Sequence, residues 1–212
     1  MPPFPPLLVI TDRKQAIRPL PELAGDLFEL GVRWLSLRDK DLPDSVRLDL
    51  ARALVGRARR WSALVTLHGD PALALAAGAA GVHLPDGGDT PDALAAARAL
   101  LGPGALVGVS AHDAAGLARA AAGGADYATL SPIFPSASKP GYGPWLEADG
   151  LRRMAAGAGL PVIALGGVES PDAARACRRA GAAGVAAMGL AMRAPPAVAG
   201  LLAALSAASP EG

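Results

Sequence analysis

Eight short apolar runs recur along the chain, each followed by a segment with helical spacing. They are Leu7 to Ile10, Val32 to Leu37, Leu64 to Leu67, Gly81 to Leu84, Leu106 to Val109, Tyr127 to Leu130, Val162 to Leu165 and Val185 to Met188. Such runs are too short and too uniformly apolar for half-exposed antiparallel strands, and suit strands buried on both faces. Between them, Leu42 to Arg60 places Val46, Leu50, Leu54 and Ala58 on one helical stripe. Two further helices carry start and stop signals. Thr90-Pro91-Asp92 opens a helix to Leu101, closed by Gly102, and Ser170-Pro171-Asp172 opens one through Ala180, closed by Gly181. Each has an N-cap hydroxyl, a proline at the first helical position and a glycine past the end.

Strand-helix alternation implies parallel strands joined by right-handed crossovers. An open doubly wound sheet is the alternative, but no GxGxxG follows an early strand. The sequence therefore predicts an α/β protein, a single (β/α)8 TIM barrel over residues 1–212, with 1–6 and 207–212 as loose termini.

Composition narrows the function classes. The 212 residues are 51% hydrophobic, enough for one sizeable core, and the net charge of +1 announces no nucleic-acid surface. A single cysteine, Cys177, excludes an internal disulfide framework and fits a reducing compartment. The start lacks the basic region of a signal peptide, and no apolar stretch is long enough to cross a bilayer. The expectation is a cytoplasmic protein with a small-molecule partner, and neither nucleic acid nor membrane.

Barrel chemistry sits where strands end, so the residues following each run are the candidates. Strand two delivers Arg38-Asp39-Lys40, strand three His68-Gly69-Asp70, and strand four Pro85-Asp86-Gly87-Gly88-Asp89. Strand five gives Ser110 and His112, and strand six a long loop containing Ser136, Ser138 and Lys139. Strands seven and eight end in Gly166-Gly167 and Gly189. Glycines let backbone amides approach an anion, and strands seven and eight are where barrels often seat a phosphate. Arg38, Lys40 and Lys139, with the hydroxyls of Ser110, Ser136 and Ser138, suit a second and more highly charged group.

Several of these residues also have plain readings. Paired glycines permit a tight turn, and Arg38 and Lys40 could be rim salt-bridge partners. His83, inside an apolar strand, reads as a layer histidine, and Cys177 as a small helix residue. The loop with Ser136, Ser138 and Lys139 resembles a phosphate-closing flap more than a plain connector.

At these residues the sequence resembles the thiamine phosphate synthase family over nearly its whole length. The matching motifs are Leu8 to Asp12, Leu37 to Lys40, Gly81 to Leu84, Gly108 to His112, Ala125 to Tyr127, Pro132 to Lys139, Ala164 to Val168 and Gly181 to Ala186. The resemblance implies condensation of a hydroxymethylpyrimidine pyrophosphate with a thiazole phosphate, releasing pyrophosphate through a carbocation-like pyrimidine. It implies that Arg38, Lys40, Ser110 and Lys139 face the pyrophosphate, with Ser136 and Ser138 where threonines are usual. Gly166, Gly167 and Gly189 would hold the thiazole phosphate.

The chain departs from that pattern at the metal. The family's two magnesium-binding aspartates align with Gly69 and Gly88, and its strand-two glutamine with Ser36. Asp70, Asp86 and Asp89 stand one to two residues away as substitute ligands. Gly69 and Leu84-Pro85 are instead similar to the sister group of thiazole tautomerases, which also lacks the metal aspartates. Tautomerisation needs an acid/base near neutral pKa, for which His68 and His112 are the candidates. The sequence thus favours a metal-independent, tautomerase-like enzyme needing no cofactor. A magnesium-dependent synthase is the alternative, and a non-catalytic phosphate sensor a third reading. Relatives of both groups commonly form homo-oligomers.

Overall fold

The computed structural model describes residues 4–136, 141 and 143–207. Eight parallel strands close into a barrel in sequence order. They are β1 (Leu7–Ile10), β2 (Trp34–Leu37), β3 (Leu64–His68), β4 (Gly81–Leu84), β5 (Leu106–Ala111), β6 (Tyr127–Leu130), β7 (Val162–Leu165) and β8 (Gly184–Ala187). β8 closes on β1 through the pairs Leu7 with Val185 and Val9 with Ala187. The crossovers carry α1 (Leu20–Glu29), α2 (Asp44–Ala58), α3 (Pro71–Ala77), α4 (Pro91–Leu101), α5 (Ala114–Ala122), α6 (Glu147–Ala156) and α7 (Pro171–Arg179). After β8 come a single short turn, α8 (Gly189–Arg193), and the closing helix α9 (Val198–Ser206). No helix among the described residues is long and apolar enough to cross a membrane.

The helix signals act through the atoms expected of them. Thr90 accepts from the Ala93 amide and Ser170 from the Ala173 amide, each satisfying one of the unpaired donors of a first turn. The stripe expected on the second helix is displaced by one position. Arg47, Ala51, Leu54 and Ala58 face the barrel, while Val46 is exposed. Leu54 and Ala58 belong to both stripes, and the side chain of Arg47 takes the place that Val46 would have occupied.

The strands are less uniform than their sequences suggest. Alternate residues face outward into one large apolar shell under the helices, Leu7, Val9, Leu35, Leu37, Val65 and Leu67 among them. The opposite parity fills the barrel interior with Leu8, Ile10, Trp34, Leu106, Tyr127 and Ile163. The period of two also places Ser36, Thr66, His83 and Thr129 inside, all essentially fully buried. Trp34 Nε1 donates to Thr66 Oγ1, which hydrogen-bonds Ser36 Oγ, so this polar layer is internally paired.

The N-terminus corrects an expectation. Residues 4–6 are not loose: Phe4 is buried against Trp34 and Tyr127, with ring centroids 5.0 and 5.4 Å apart. Pro6 O accepts from the Val185 amide. Phe4 thus closes the end of the barrel at which the strands begin. Residues 208–212 lie outside the described residues.

Candidate active site

At the C-terminal ends of the strands lies a cavity of about 240 Å³. Arg38, Lys40, His68, Ser110, His112, Ser136 and Gly166 line it together, from five different βα units. Gly167 and Gly189 are not on its lining, but each directly follows a residue that is, Gly166 and Met188. Ser138 and Lys139 lie outside the described residues. Asp86, Ser131, Pro132, Leu165 and Met188 complete much of the wall.

The cationic corner is built by β2. Past Leu37 the chain keeps its period of two, so Arg38 and Lys40 project to one side and Asp39 to the other. Asp39 is buried and accepts from Thr11 Oγ1 at 2.7 Å and the Arg13 amide at 2.8 Å. The Arg38 amide donates to Thr11 Oγ1, which fastens the mouths of β1 and β2 together. The carboxylate between the two cations therefore does not neutralise them, and neither cation forms an ion pair among the described residues. The rim salt bridge that a plain reading allowed is instead made by Arg13 and Lys14, both to Asp41. Partial desolvation, and then the nearby charges of Arg38 and Arg47, hold the Lys40 ammonium below the ordinary lysine range. Two unpaired cations at one strand end favour an anion, and Ser110 across the cavity adds a hydroxyl.

The histidines divide by depth. His68 and His83 are buried with ring centroids 4.5 Å apart. Burial lowers both pKa values, His83 to about 3 and His68 well below the ordinary value, with His83 and Lys40 adding to the effect at His68. Both rings are neutral at physiological pH, and His68 Nε2 has no hydrogen-bond partner among the described residues. His83, read as a layer histidine, is one, bridging Tyr127 and Ser110. His112 is exposed, and its Nδ1 lies 2.7 Å from the Ser131 carbonyl oxygen. A carbonyl only accepts, so Nδ1 carries a hydrogen and the neutral ring has a bare Nε2.

The substitute metal ligands mostly have other work. Asp70 caps α3, accepting from the Ala72 and Leu73 amides. Asp89 is buried and paired with Arg119 Nε at 2.7 Å. Asp70 and Asp89 thus each hold a structural contact, and Asp86 is the carboxylate on the cavity wall. Among the described residues no three His, Cys, Asp or Glu side chains group as a metal centre. The loops are also shaped for glycine. Gly69 has φ +94°, and a Cβ on Gly88 would meet Leu84 Cβ at 2.8 Å and Pro85 O at 2.9 Å. The donor set does not fit the two-carboxylate magnesium site that the resemblance implies.

Opposite the cations, Gly166 and Gly167 adopt φ +101° and +68°. A Cβ on Gly167 would stand 2.3 Å from Pro135 O, so β7 meets the loop after β6 at backbone distance. The first turn of α8 begins one strand further on at Gly189, whose amide has no acceptor within its own helix.

A closed parallel barrel with an anion-adapted pocket at its strand ends is the design of a (β/α)8 enzyme acting on phosphorylated small molecules. Residues 7–190 match the family described as thiamine monophosphate synthase. The chain belongs to that family, and so is an enzyme of thiamine biosynthesis. It is 43% identical over 181 residues to a putative thiamine-phosphate synthase of Geobacter sulfurreducens, covering 85% of this chain and 83% of the relative. It is 34% identical over 183 residues to putative thiamine-phosphate synthase 2 of Aquifex aeolicus, covering 86% and 95%. A solved thiamine phosphate pyrophosphorylase from Pyrococcus furiosus superposes with a TM-score of 0.80 at 26% identity, over 95% of this chain and 96% of that one.

Two features escaped the sequence reading: the engagement of Asp39, and the bridge from Tyr127 through His83 to Ser110. The period of two was the available signal. Counting inward from Ser110 to Gly108, and across the ladder to Tyr127, puts the tyrosine inside the barrel.

Proposed function

We propose that the chain condenses a pyrimidinylmethyl pyrophosphate with a thiazole phosphate and releases pyrophosphate. The sequence alone favoured tautomerisation, but the names of the relatives favour condensation. The observation that carries the proposal is the unneutralised pair Arg38 and Lys40 in one cavity with Ser110 and Gly166. Two anion-adapted corners in one cavity suit two phosphorylated substrates.

The chemistry follows from the charges. The carbon–oxygen bond to pyrophosphate breaks, the leaving group takes the electron pair, and the methylene carbon becomes cationic. The thiazole ring nitrogen then attacks that carbon. Charge develops on the leaving oxygen, so donors already aimed there lower the barrier. Arg38, Lys40 and the Ser110 hydroxyl are placed for this, while Gly166, Gly167 and the first turn of α8 at Gly189 would hold the thiazole phosphate. Lys139 and Ser138 belong to the same proposal from sequence alone, as does Ser136 on the wall. The described side chains do not supply a magnesium site.

One observation favours the tautomerase as a second reading: His112 presents a ring whose Nδ1 is committed, the arrangement a general base needs. His68 has no such support, being buried and neutral. The test supplies both phosphorylated substrates with and without Mg²⁺ and follows pyrophosphate release and thiamine phosphate. Condensed product supports the proposal. Isomerised thiazole without pyrophosphate release replaces it with the second reading, and tight binding with no product leaves a sensor.

A further inference from the structure

The polar atoms inside the barrel form a path from its floor to the cavity. Tyr127, fully buried, places its hydroxyl oxygen 3.1 Å from His83 Nδ1. His83 Nε2 lies 3.0 Å from Ser110 Oγ, with Thr129 Oγ1 farther away at 3.4 Å. Of these four residues Ser110 and His83 line the cavity, and Ser110 is the half-buried one. The tyrosine is held firmly. Its ring occupies the space where a Cβ on Gly108 would stand, 2.0 Å from the ring carbon Cζ, and it packs edge-on against Trp34 at 4.8 Å. Phe4 packs against the same ring.

We propose that Tyr127 and His83 act as positioning residues, forming a one-way donor chain that commits the Ser110 hydroxyl hydrogen to a substrate anion. The inference rests on the reading of this corner as the pyrophosphate site. It follows from proton accounting. An anion accepts hydrogen bonds, so Ser110 must spend its one hydrogen on it and offer lone pairs to His83. His83 Nε2 must then carry a hydrogen, and in the neutral ring Nδ1 is bare and accepts from the Tyr127 hydroxyl. Burial keeps this imidazole neutral and the phenol protonated, as the chain requires. The opposite tautomer would draw the Ser110 hydrogen inward and turn oxygen lone pairs toward an anion. Each donor in a dry chain also polarises the next, which strengthens the last bond.

The test is a double-mutant cycle read by calorimetric titration of inorganic pyrophosphate. Ser110→Ala should weaken binding about tenfold, the usual worth of a hydrogen bond to a charged group. Tyr127→Phe keeps the ring in its seat and removes its hydroxyl, the first donor of the chain and also a hydrogen-bond partner of Thr66, and should weaken binding several-fold. In the Ser110→Ala background the same change should alter affinity by less than about twofold, since the chain has lost its end. Unchanged affinity in Tyr127→Phe, or equal losses in both backgrounds, overturns the proposal. A structural role for Tyr127 would give equal losses. A readout free of variants is the ¹⁵N spectrum of histidine-labelled protein, in which His83 should be the Nε2–H tautomer. The Nδ1–H tautomer overturns the donor chain. If the wild type binds no pyrophosphate, the proposed function falls, and the His83 tautomer alone decides whether the donor chain stands.

Discussion

Gly167→Ala isolates the close approach on which the phosphate corner depends. Two costs add at this position. At φ +68° an alanine adopts a left-handed backbone, at about 1–2 kcal/mol. Its Cβ would also stand 2.3 Å from Pro135 O and 2.6 Å from Phe134 Cβ. Roughly 0.7 Å of movement in the Phe134–Pro135 backbone is needed to relieve the first contact, a distortion of the size that overpacking penalises by about 1–3 kcal/mol. Gly124 supplies the control: its φ is +78°, and nothing lies within 4 Å of a Cβ there. Gly124→Ala therefore reports strain alone. Urea unfolding of both variants should show Gly167→Ala the less stable by about 1–3 kcal/mol. Because the displaced segment leads directly to Ser136 on the cavity wall, Gly167→Ala should also weaken thiazole phosphate binding in calorimetry, and Gly124→Ala should not. Equal stability losses, with binding intact in both, would refute the close approach.

Other tests address the charges. Arg38→Met should weaken pyrophosphate binding by about 10- to 100-fold, as the loss of a charged hydrogen bond does, and should let the Lys40 pKa rise, because Arg38 is one of the charges that depress it. Titration of the Lys40 resonance checks the second effect, and no upward shift would show that the two cations do not face each other. In the wild type the depressed Lys40 loses its proton below the usual lysine range, so pyrophosphate affinity should begin to fall at a lower pH than an ordinary lysine would give. Asp89→Asn should destabilise the fold by loosening Arg119 without altering the magnesium response of pyrophosphate binding, and an altered response in a metal titration would return Asp89 to the ligand set. His68 and His83 have folded pKa values below the unfolded value, so each contributes stability that is lost as pH falls below about 6.5. Urea unfolding should show less stability at pH 5 than at pH 7, by about 2 kcal/mol from His83 and with a further loss in the same direction from His68, and a flat profile would show that they titrate in the folded state.

Local signals carried the fold well. Strand positions could be read because a buried parallel strand needs a short apolar run, and α4 and α7 because Thr90 and Ser170 act on amides only three residues away. The cavity residues Arg38, Lys40, Ser110 and Ser136 were legible for a related reason, since a barrel places whatever follows a strand at its mouth. Long-range partnerships were not legible. Asp89 and Arg119 are 30 positions apart, and nothing in either neighbourhood distinguishes this buried carboxylate from a metal ligand. Asp70 was hidden by the opposite problem: a residue one position before Pro71 serves equally as a helix cap or as a loop ligand. Phe4 was missed because a proline-flanked terminus reads as loose until the floor of the barrel, formed by Trp34 and Tyr127, gives it somewhere to go.

Because Asp39 is bound to Thr11 and Arg13, an arriving anion has no ion pair among the described residues to displace before reaching Arg38 and Lys40. The repulsion between the cations is built into the folded protein and relieved by whatever polyanion binds there. Binding is thereby linked to folding: an anion held only by the native state raises stability by RT ln(1 + [L]/Kd). Pyrophosphate at about 100 times its Kd would add about 2.7 kcal/mol. If the proposed site binds as described, the melting temperature of this protein should rise with the polyanion supplied, and a thermal melt with added pyrophosphate checks it.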